Sequence, residues 1–181
     1  LSSWKRSRQG EVDAVKRDNV VVAGHAELAA LRDANYRLLS AAWPVISHLA
    51  DKLSDDGYAV ILTDAQSRIL ELVAGQALRG RLAGVGIEPG TYMGEEFLGT
   101  NGIGTAIADR RPLQIVGPEH FREAWHDLMC NGVPIRDPST GRVLGVLDVT
   151  ADYRLARAEL MAAMLEYAFA IEENLATPHL L

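Results

Sequence analysis

From His25 to Leu53 the apolar residues Leu28, Leu31, Leu38, Leu39, Ala42, Val45, Ile46, Leu49 and Leu53 recur at helical spacing. Pro44 interrupts the run; it lacks a backbone donor and disfavours a helical residue before it, so the pattern predicts a kink or restart near Trp43. Beyond Asp55-Asp56-Gly57 the period changes. Tyr58 to Thr63 and Arg68 to Val73 are rich in β-formers and flank the turn Asp64-Ala65-Gln66-Ser67, a predicted β-hairpin. The glycines from Gly75 to Gly104 are too dense for regular elements throughout and predict a long loop carrying short helices. Asn101 to Asp109 is helix-capable, Pro112 to Val116 has strand character, and Glu119 to Leu128 reads as a helix with Pro118 at or before its first turn. Met129 to Ile135 and Arg142 to Val149 form a second predicted hairpin about Asp137-Pro138-Ser139-Thr140-Gly141. Asp152 to Leu175 then reads as one long helix, with a stripe of Leu155, Met161, Met164, Leu165, Ala168, Ile171 and Leu175 widened by Leu160, Ala163, Tyr167 and Ala170. A stripe that wide fits a buried core helix; the favoured expectation is a dimer seam shared with the N-terminal helix.

Two hairpins with tight turns disfavour a doubly wound parallel sheet, because parallel strands need crossover connections. The predicted class is α+β: a central antiparallel sheet, terminal helices on one face, and the Gly75 to Leu128 crossover arched over the other. At 181 residues, 48 % of them apolar and 23 % charged, the chain has the composition of one ordinary globular domain. Eighteen basic against twenty-four acidic residues give a net charge of -6, the wrong sign for neutralising phosphates, so no direct nucleic-acid binding is expected. The basic cluster Lys5, Arg6 and Arg8 reads as a solvated terminal segment. A single cysteine, Cys130, excludes an intramolecular disulfide framework and favours a cytoplasmic location. The apolar stretch Met161 to Ile171, broken by Glu166, is far short of the ~20 residues a spanning helix needs, so no membrane partner is expected. No signal peptide opens the chain, which starts at Leu1 and is expected to be part of a longer protein.

Four blocks stand in order along the second half: Gly99-Thr100-Asn101-Gly102-Ile103-Gly104-Thr105-Ala106, Gly117-Pro118-Glu119-His120-Phe121, Cys130-Asn131-Gly132-Val133-Pro134-Ile135-Arg136-Asp137-Pro138, and Gly145-Val146-Leu147-Asp148-Val149. Together with Ser3-Trp4-Lys5-Arg6 and Pro44, they resemble the sensory GAF domain of the sigma-54-dependent activators that control acetoin and dihydroxyacetone catabolism. The resemblance covers most of the chain. It implies a GAF fold over residues 25–176, preceded by an extension at 1–24 and followed at 177–181 by the start of a linker to an ATPase module and a helix-turn-helix module. It also implies a regulatory role without catalysis. No phosphate-cradling glycine loop ending in Gly-Lys-Ser or Gly-Lys-Thr is present, so the ATPase itself would lie elsewhere. Met93 and Leu128 depart from the family, which often has tryptophan at both places; each swaps a rigid aromatic for an adaptable aliphatic side chain.

The chemistry-bearing residues are weighed against that background. Gly99 to Gly104 has the order Gly-x-x-Gly-x-Gly, not a dinucleotide fingerprint; Thr100 and Asn101 are expected to cap a helix first, with a polar ligand contact from Asn101 or Thr105 the second reading. His120, His126 and Cys130 fit no standard zinc spacing, so no metal or other cofactor is expected, with haem or iron as a minor alternative. Cys130 has no resolving partner and reads as a buried small side chain. Glu95 and Glu96 read as solvated loop charge, whereas Asp148 lies in an apolar run and needs a partner. The expected ligand-binding set is Tyr92, Met93, Phe97, Ile103, Trp125, His126, Met129 and Cys130, mostly apolar with a few polar handles, suited to a small neutral organic molecule. The competing expectation is a protein-interaction or dimerisation module with no small-molecule ligand.

Overall fold

The structure, a computed structural model, describes residues 2–15, 20–53 and 57–177. Among these, the helices are α1 (Ser2–Gln9), α2 (His25–Ala34), α3 (Tyr36–Leu53), α4 (Gln76–Gly84), α5 (Glu95–Leu98), α6 (Gly102–Asp109) and α7 (Ala158–Ala176). The strands are β1 (Tyr58–Thr63), β2 (Ile69–Val73), β3 (Leu113–Val116), β4 (Leu128–Arg136) and β5 (Val143–Asp152). They form one antiparallel sheet in the order β2-β1-β5-β4-β3. Both predicted hairpins are present as β1–β2 and β4–β5, and the first turn is fastened by the Asp64 carboxylate, which accepts from the Gln66 and Arg68 amides.

Every residue of β1 is buried, as is nearly all of β4 and β5, because both faces of the sheet are covered. On one face Tyr58, Val60, Leu62, Met129, Leu147 and Val149 pack under α3 and α7; Asn174 and Arg37 tie the two helices together by donating to the carbonyls of Ala41 and Leu175. On the other face Ala59, Ile61 and Val146 meet α4, α6, Met93 and Trp125. This is the α+β arrangement expected from the hairpins, with terminal helices and crossover on opposite faces.

Several boundaries differ from expectation. The helical break falls at Asn35, whose side chain donates to the Leu31 carbonyl, and α3 runs through Pro44. Pro44 lies on the exposed side of α3, where the missing hydrogen bond is least costly. The predicted helix from Glu119 to Leu128 is instead two 3-10 turns, Gly117–Glu119 and Glu123–Trp125. His120, Phe121 and Arg122 are buried in succession, and three consecutive residues cannot share one face of a helix. The last helix starts at Ala158 because β5 continues to Asp152, pairing opposite Leu128, and the Asp152 carboxylate then caps a 3-10 turn. The described residues ahead of 25 are tied into the same body: α1 packs on α5, and Val22 bridges to Thr91. Residues 178–181, within the expected linker, lie outside the described residues.

One close approach sets the site. A Cβ at Gly132 of β4 would stand 2.0 Å from the Gly102 carbonyl oxygen, and one at Gly102 would stand 2.4 Å from the Cys130 Cβ. Glycine at both places therefore lets the first turn of α6 rest directly on the sheet.

Candidate functional site

Between that turn, the sheet and the crossover lies a small, partly enclosed cavity. Its apolar walls are Ile61 of β1, Ile87 and Met93 of the crossover, Ile103 of α6, Trp125 and Leu128; its polar edge is Asn101, Gly102, His120, Cys130 and Thr150. Its volume is about 10 Å³, room for a single water molecule. A molecule larger than a water enters only if a wall moves. The wider hollows are open surface clefts, such as one of about 520 Å³ between α1, α6 and β3, and offer less enclosure.

Asn101 is set by its capping role: its side-chain oxygen accepts from the Ile103 and Gly104 amides, and its amide nitrogen donates to the Met93 and Gly99 carbonyls. All four of its side-chain bonds are thus engaged in pinning the loop to α6. The remaining polar groups form a buried chain. His120 Nδ1 lies 3.0 Å from the Gly117 carbonyl, which can only accept, so Nδ1 carries the proton and Nε2 is the acceptor. Nε2 lies 3.4 Å from Cys130 Sγ, which lies 3.2 Å from Thr150 Oγ1, which in turn lies 2.6 Å from Asp148 Oδ2. Burial lowers the His120 pKa to about 4. Burial, and then the nearby Asp148 charge, push the Cys130 thiol up, away from reactivity. Burial likewise raises Asp148 to about 7, against the bond from Thr150. The second Asp148 oxygen, Oδ1, is buried with no hydrogen-bond partner.

Of the eight expected ligand-binding residues, the structure brings Met93, Ile103, Trp125 and Cys130 to the cavity. Tyr92 points outward, bonded to Glu96 and stacked under Arg68, and Phe97 is exposed. His126 sits behind the wall, its Nε2 3.2 Å from the His120 carbonyl oxygen. Met129 is on the opposite sheet face with α3 and α7, since neighbouring strand residues alternate faces. His120, Leu128 and Thr150 join the cavity in their stead; Leu128 stands at one of the two departures from the family pattern. Thr150 was detectable as the residue two beyond Asp148 on the same strand face, but only with the strand's true end known.

The charged residues are arranged differently from expectation. Glu95 is buried rather than solvated and is held by the Arg6 guanidinium at 2.5 Å, with Asp109 on the same guanidinium at 2.8 Å. Arg6 is therefore a clamp and not a free terminal charge. Ser7 Oγ accepts from the Thr100 amide at 3.0 Å, and Trp4 donates to the Glu119 carbonyl while its ring meets Phe121 edge-on at 5.1 Å. Helix α1 thereby rests on both segments that wall the cavity. No group of three or more His, Cys, Asp or Glu is placed to hold a metal among the described residues. No described helix is long and apolar enough to cross a membrane.

The chain superposes on the DhaR(N) chain of the E. coli DhaR(N)-DhaL complex with a TM-score of 0.90 at 18 % identity, covering 96 % of this chain and 59 % of that one, which establishes the fold. It is 39 % identical over 180 residues to the propane 2-monooxygenase operon transcriptional activator MimR of Mycolicibacterium smegmatis, covering 98 % of this chain and 29 % of the relative. It is 26 % identical over 174 residues to the acetoin dehydrogenase operon transcriptional activator AcoR of Bacillus subtilis, covering 96 % and 29 %. The chain thus spans less than a third of these curated relatives, all of them transcriptional activators. The family model described as the N-terminal domain of MimR matches residues 1–172, and the chain belongs to that family.

Proposed function

We propose that this domain senses a small neutral metabolite in the cavity and regulates an ATPase and a helix-turn-helix module elsewhere in its parent protein, a sigma-54-dependent activator. The carrying observation is a small, partly enclosed cavity whose apolar walls converge on the His120–Cys130–Thr150 edge. Relatives named as activators of the propane 2-monooxygenase and acetoin dehydrogenase operons support a regulatory reading. Because the space is so small, a ligand displaces a wall; the first turn of α6 and the 117–125 segment are two of those walls, and α1 rests on both. Ligand-bound and ligand-free states then differ in the seating of α1, the differential contact that sensing needs. The domain acts as a homodimer through exposed apolar side chains of its terminal helices, Tyr36 and Trp43 on one flank and Leu165 and Phe169 on the other.

The test is a thermal-shift screen of the purified domain against small alcohols, ketones, diols and phenols, since a ligand selective for the folded state raises the midpoint. A saturable shift that vanishes in Ile103→Trp, which fills the cavity, supports the reading. A flat screen with a well-folded protein favours a second reading, protein interaction, which the complex of the DhaR N-terminal region with DhaL makes specific.

A further inference from the structure

The polar edge of the cavity is short of hydrogen-bond donors. His120, Cys130 and Thr150 all line the cavity, and their polar atoms run in one chain: His120 Nε2, then Cys130 Sγ at 3.4 Å, then Thr150 Oγ1 at a further 3.2 Å. Both ends of this chain are set by groups beyond it. The Gly117 carbonyl takes the Nδ1 proton, so Nε2 presents a lone pair, and burial, which lowers the ring's pKa to about 4, keeps the imidazole neutral. At the other end Thr150 donates to Asp148 Oδ2 at 2.6 Å, and an ionised carboxylate there claims the hydroxyl hydrogen. One thiol hydrogen is left for two acceptors, Nε2 and Oγ1. Whichever way the thiol turns, one of them goes without, and a thiol is itself a weak donor.

We propose that His120 is the specificity-determining residue of this cavity, its Nε2 accepting a hydrogen bond from the hydroxyl of a small neutral ligand whose apolar body lies against Ile61, Ile103 and Trp125. The inference rests on the small-molecule reading above and adds which atom reads the ligand and with what polarity. The room already bounded by these side chains, about 10 Å³, suffices for a hydroxyl; only the apolar body needs a wall to move. The exchange strands no group. As the ligand hydroxyl takes Nε2, the thiol turns to Thr150 Oγ1, the nearer of its two acceptors, and a strong donor has replaced a weak one on the imidazole. A ketone of the same shape brings a further acceptor to an edge with no hydrogen to spare: the Asn101 amide donates to the Met93 and Gly99 carbonyls, and Thr150 to Asp148. No lining residue carries a carboxylate that would pair with an ammonium.

The experiment measures, by calorimetry, the affinities of butan-2-ol and butan-2-one for the 181-residue chain, for His120→Leu and for Cys130→Ala. It is run at about pH 8, above the Asp148 pKa of about 7, so that the Thr150 hydrogen is held by a carboxylate. The two probes share an apolar body, and their affinity ratio isolates the hydroxyl. The wild-type chain is expected to favour the alcohol by about fivefold to tenfold, the worth of one buried hydrogen bond. His120→Leu brings the ratio to about one, whereas Cys130→Ala, which removes only the competing thiol, keeps or increases the preference. Equal binding or a preference for the ketone in the wild-type chain overturns the contact while leaving a small-molecule sensor intact, and so does a preference that survives His120→Leu. Loss of the preference in Cys130→Ala assigns the contact to the thiol and overturns it likewise. Saturable binding of neither probe also overturns it, and a flat screen over the wider probe set then removes the sensor reading as well. Should His120→Leu fail to fold, the wild-type ratio and Cys130→Ala decide alone.

Discussion

Two buried titrating groups in one chain have opposite consequences for stability. Asp148 has its pKa raised to about 7 in the folded state, so between about 4 and 7 the native chain holds a proton that the unfolded chain has released, and stability falls as pH rises through that window. His120 is lowered to about 4, so between about 4 and 6.5 the unfolded chain holds a proton that the native chain lacks, and stability rises with pH. Over the shared window the two proton counts match, and their contributions to the slope cancel. Single substitutions should uncover them. Denaturant melts of Asp148→Asn are expected to show stability climbing from pH 4.5 to 6, and those of His120→Gln to show it falling. Each slope should approach about 1.4 kcal/mol per pH unit relative to wild type, the limit for one proton. Parallel profiles in all three proteins would mean that neither group is held as buried as the structure places it. The sequence had flagged Asp148 as a carboxylate in need of a partner. It had placed His120 only in a weak metal pattern, because the burial that sets its pKa comes from the 3-10 turns around it.

Among elements, α1 is the one whose role the sequence obscured. Its residues Ser2–Gln9 are mostly polar, and only Ser3 and Ser7 are buried, so hydrophobic patterning gives no reason for it to dock. What docks it is a half-exposed arginine on a buried glutamate, one serine hydroxyl and one tryptophan N–H. Removing the arginine leaves Glu95 buried and unpaired, a loss that solvent access on the Arg6 side holds to about 1–3 kcal/mol. Arg6→Ala is therefore expected to speed amide exchange in α1 and α5 with little change in β1, β4 and β5. Uniform acceleration across the sheet would instead make the clamp part of the global core. Elements fixed by local chemistry were legible: the Asp64 turn, the Asn101 cap and both hairpins all follow from residues within a few positions of each other. The segment from Gly117 to Trp125 was not. Its helix-permissive sequence is overridden by the need to bury His120, Phe121 and Trp125 against three different neighbours.

At the scale of the whole molecule, large apolar side chains stand exposed on the outer flanks of α3, near β2, and of α7, near β4. Trp43 is 52 % exposed and Phe169 59 %, although the opposite sides of the same helices carry the core residues Leu38, Ile46, Met164 and Ile171. Large exposed aromatics on paired helices are a feature of association surfaces. The double variant Trp43→Glu with Phe169→Glu is expected to sediment as a monomer where the wild-type chain sediments as a dimer, with the sheet's circular dichroism unchanged. A wild-type chain that is monomeric at high micromolar concentration would remove these helices from any dimer seam.

The sequence by itself determined the antiparallel α+β plan, because strand period, turn residues and caps are local and act through neighbours in the chain. It also marked four of the eleven residues that line the cavity, Met93, Ile103, Trp125 and Cys130. Only the tertiary structure decided which strand face each residue takes and where each strand ends. A shift of one position moves Met129 from the expected site to the far core and leaves Cys130 beside Thr150. Only the tertiary structure decided, too, that two glycines on separate elements meet, bringing α6 down onto β4 and leaving Asp148 buried beneath it with one oxygen unpaired. That contact spans about thirty residues of chain, a distance over which no local preference acts.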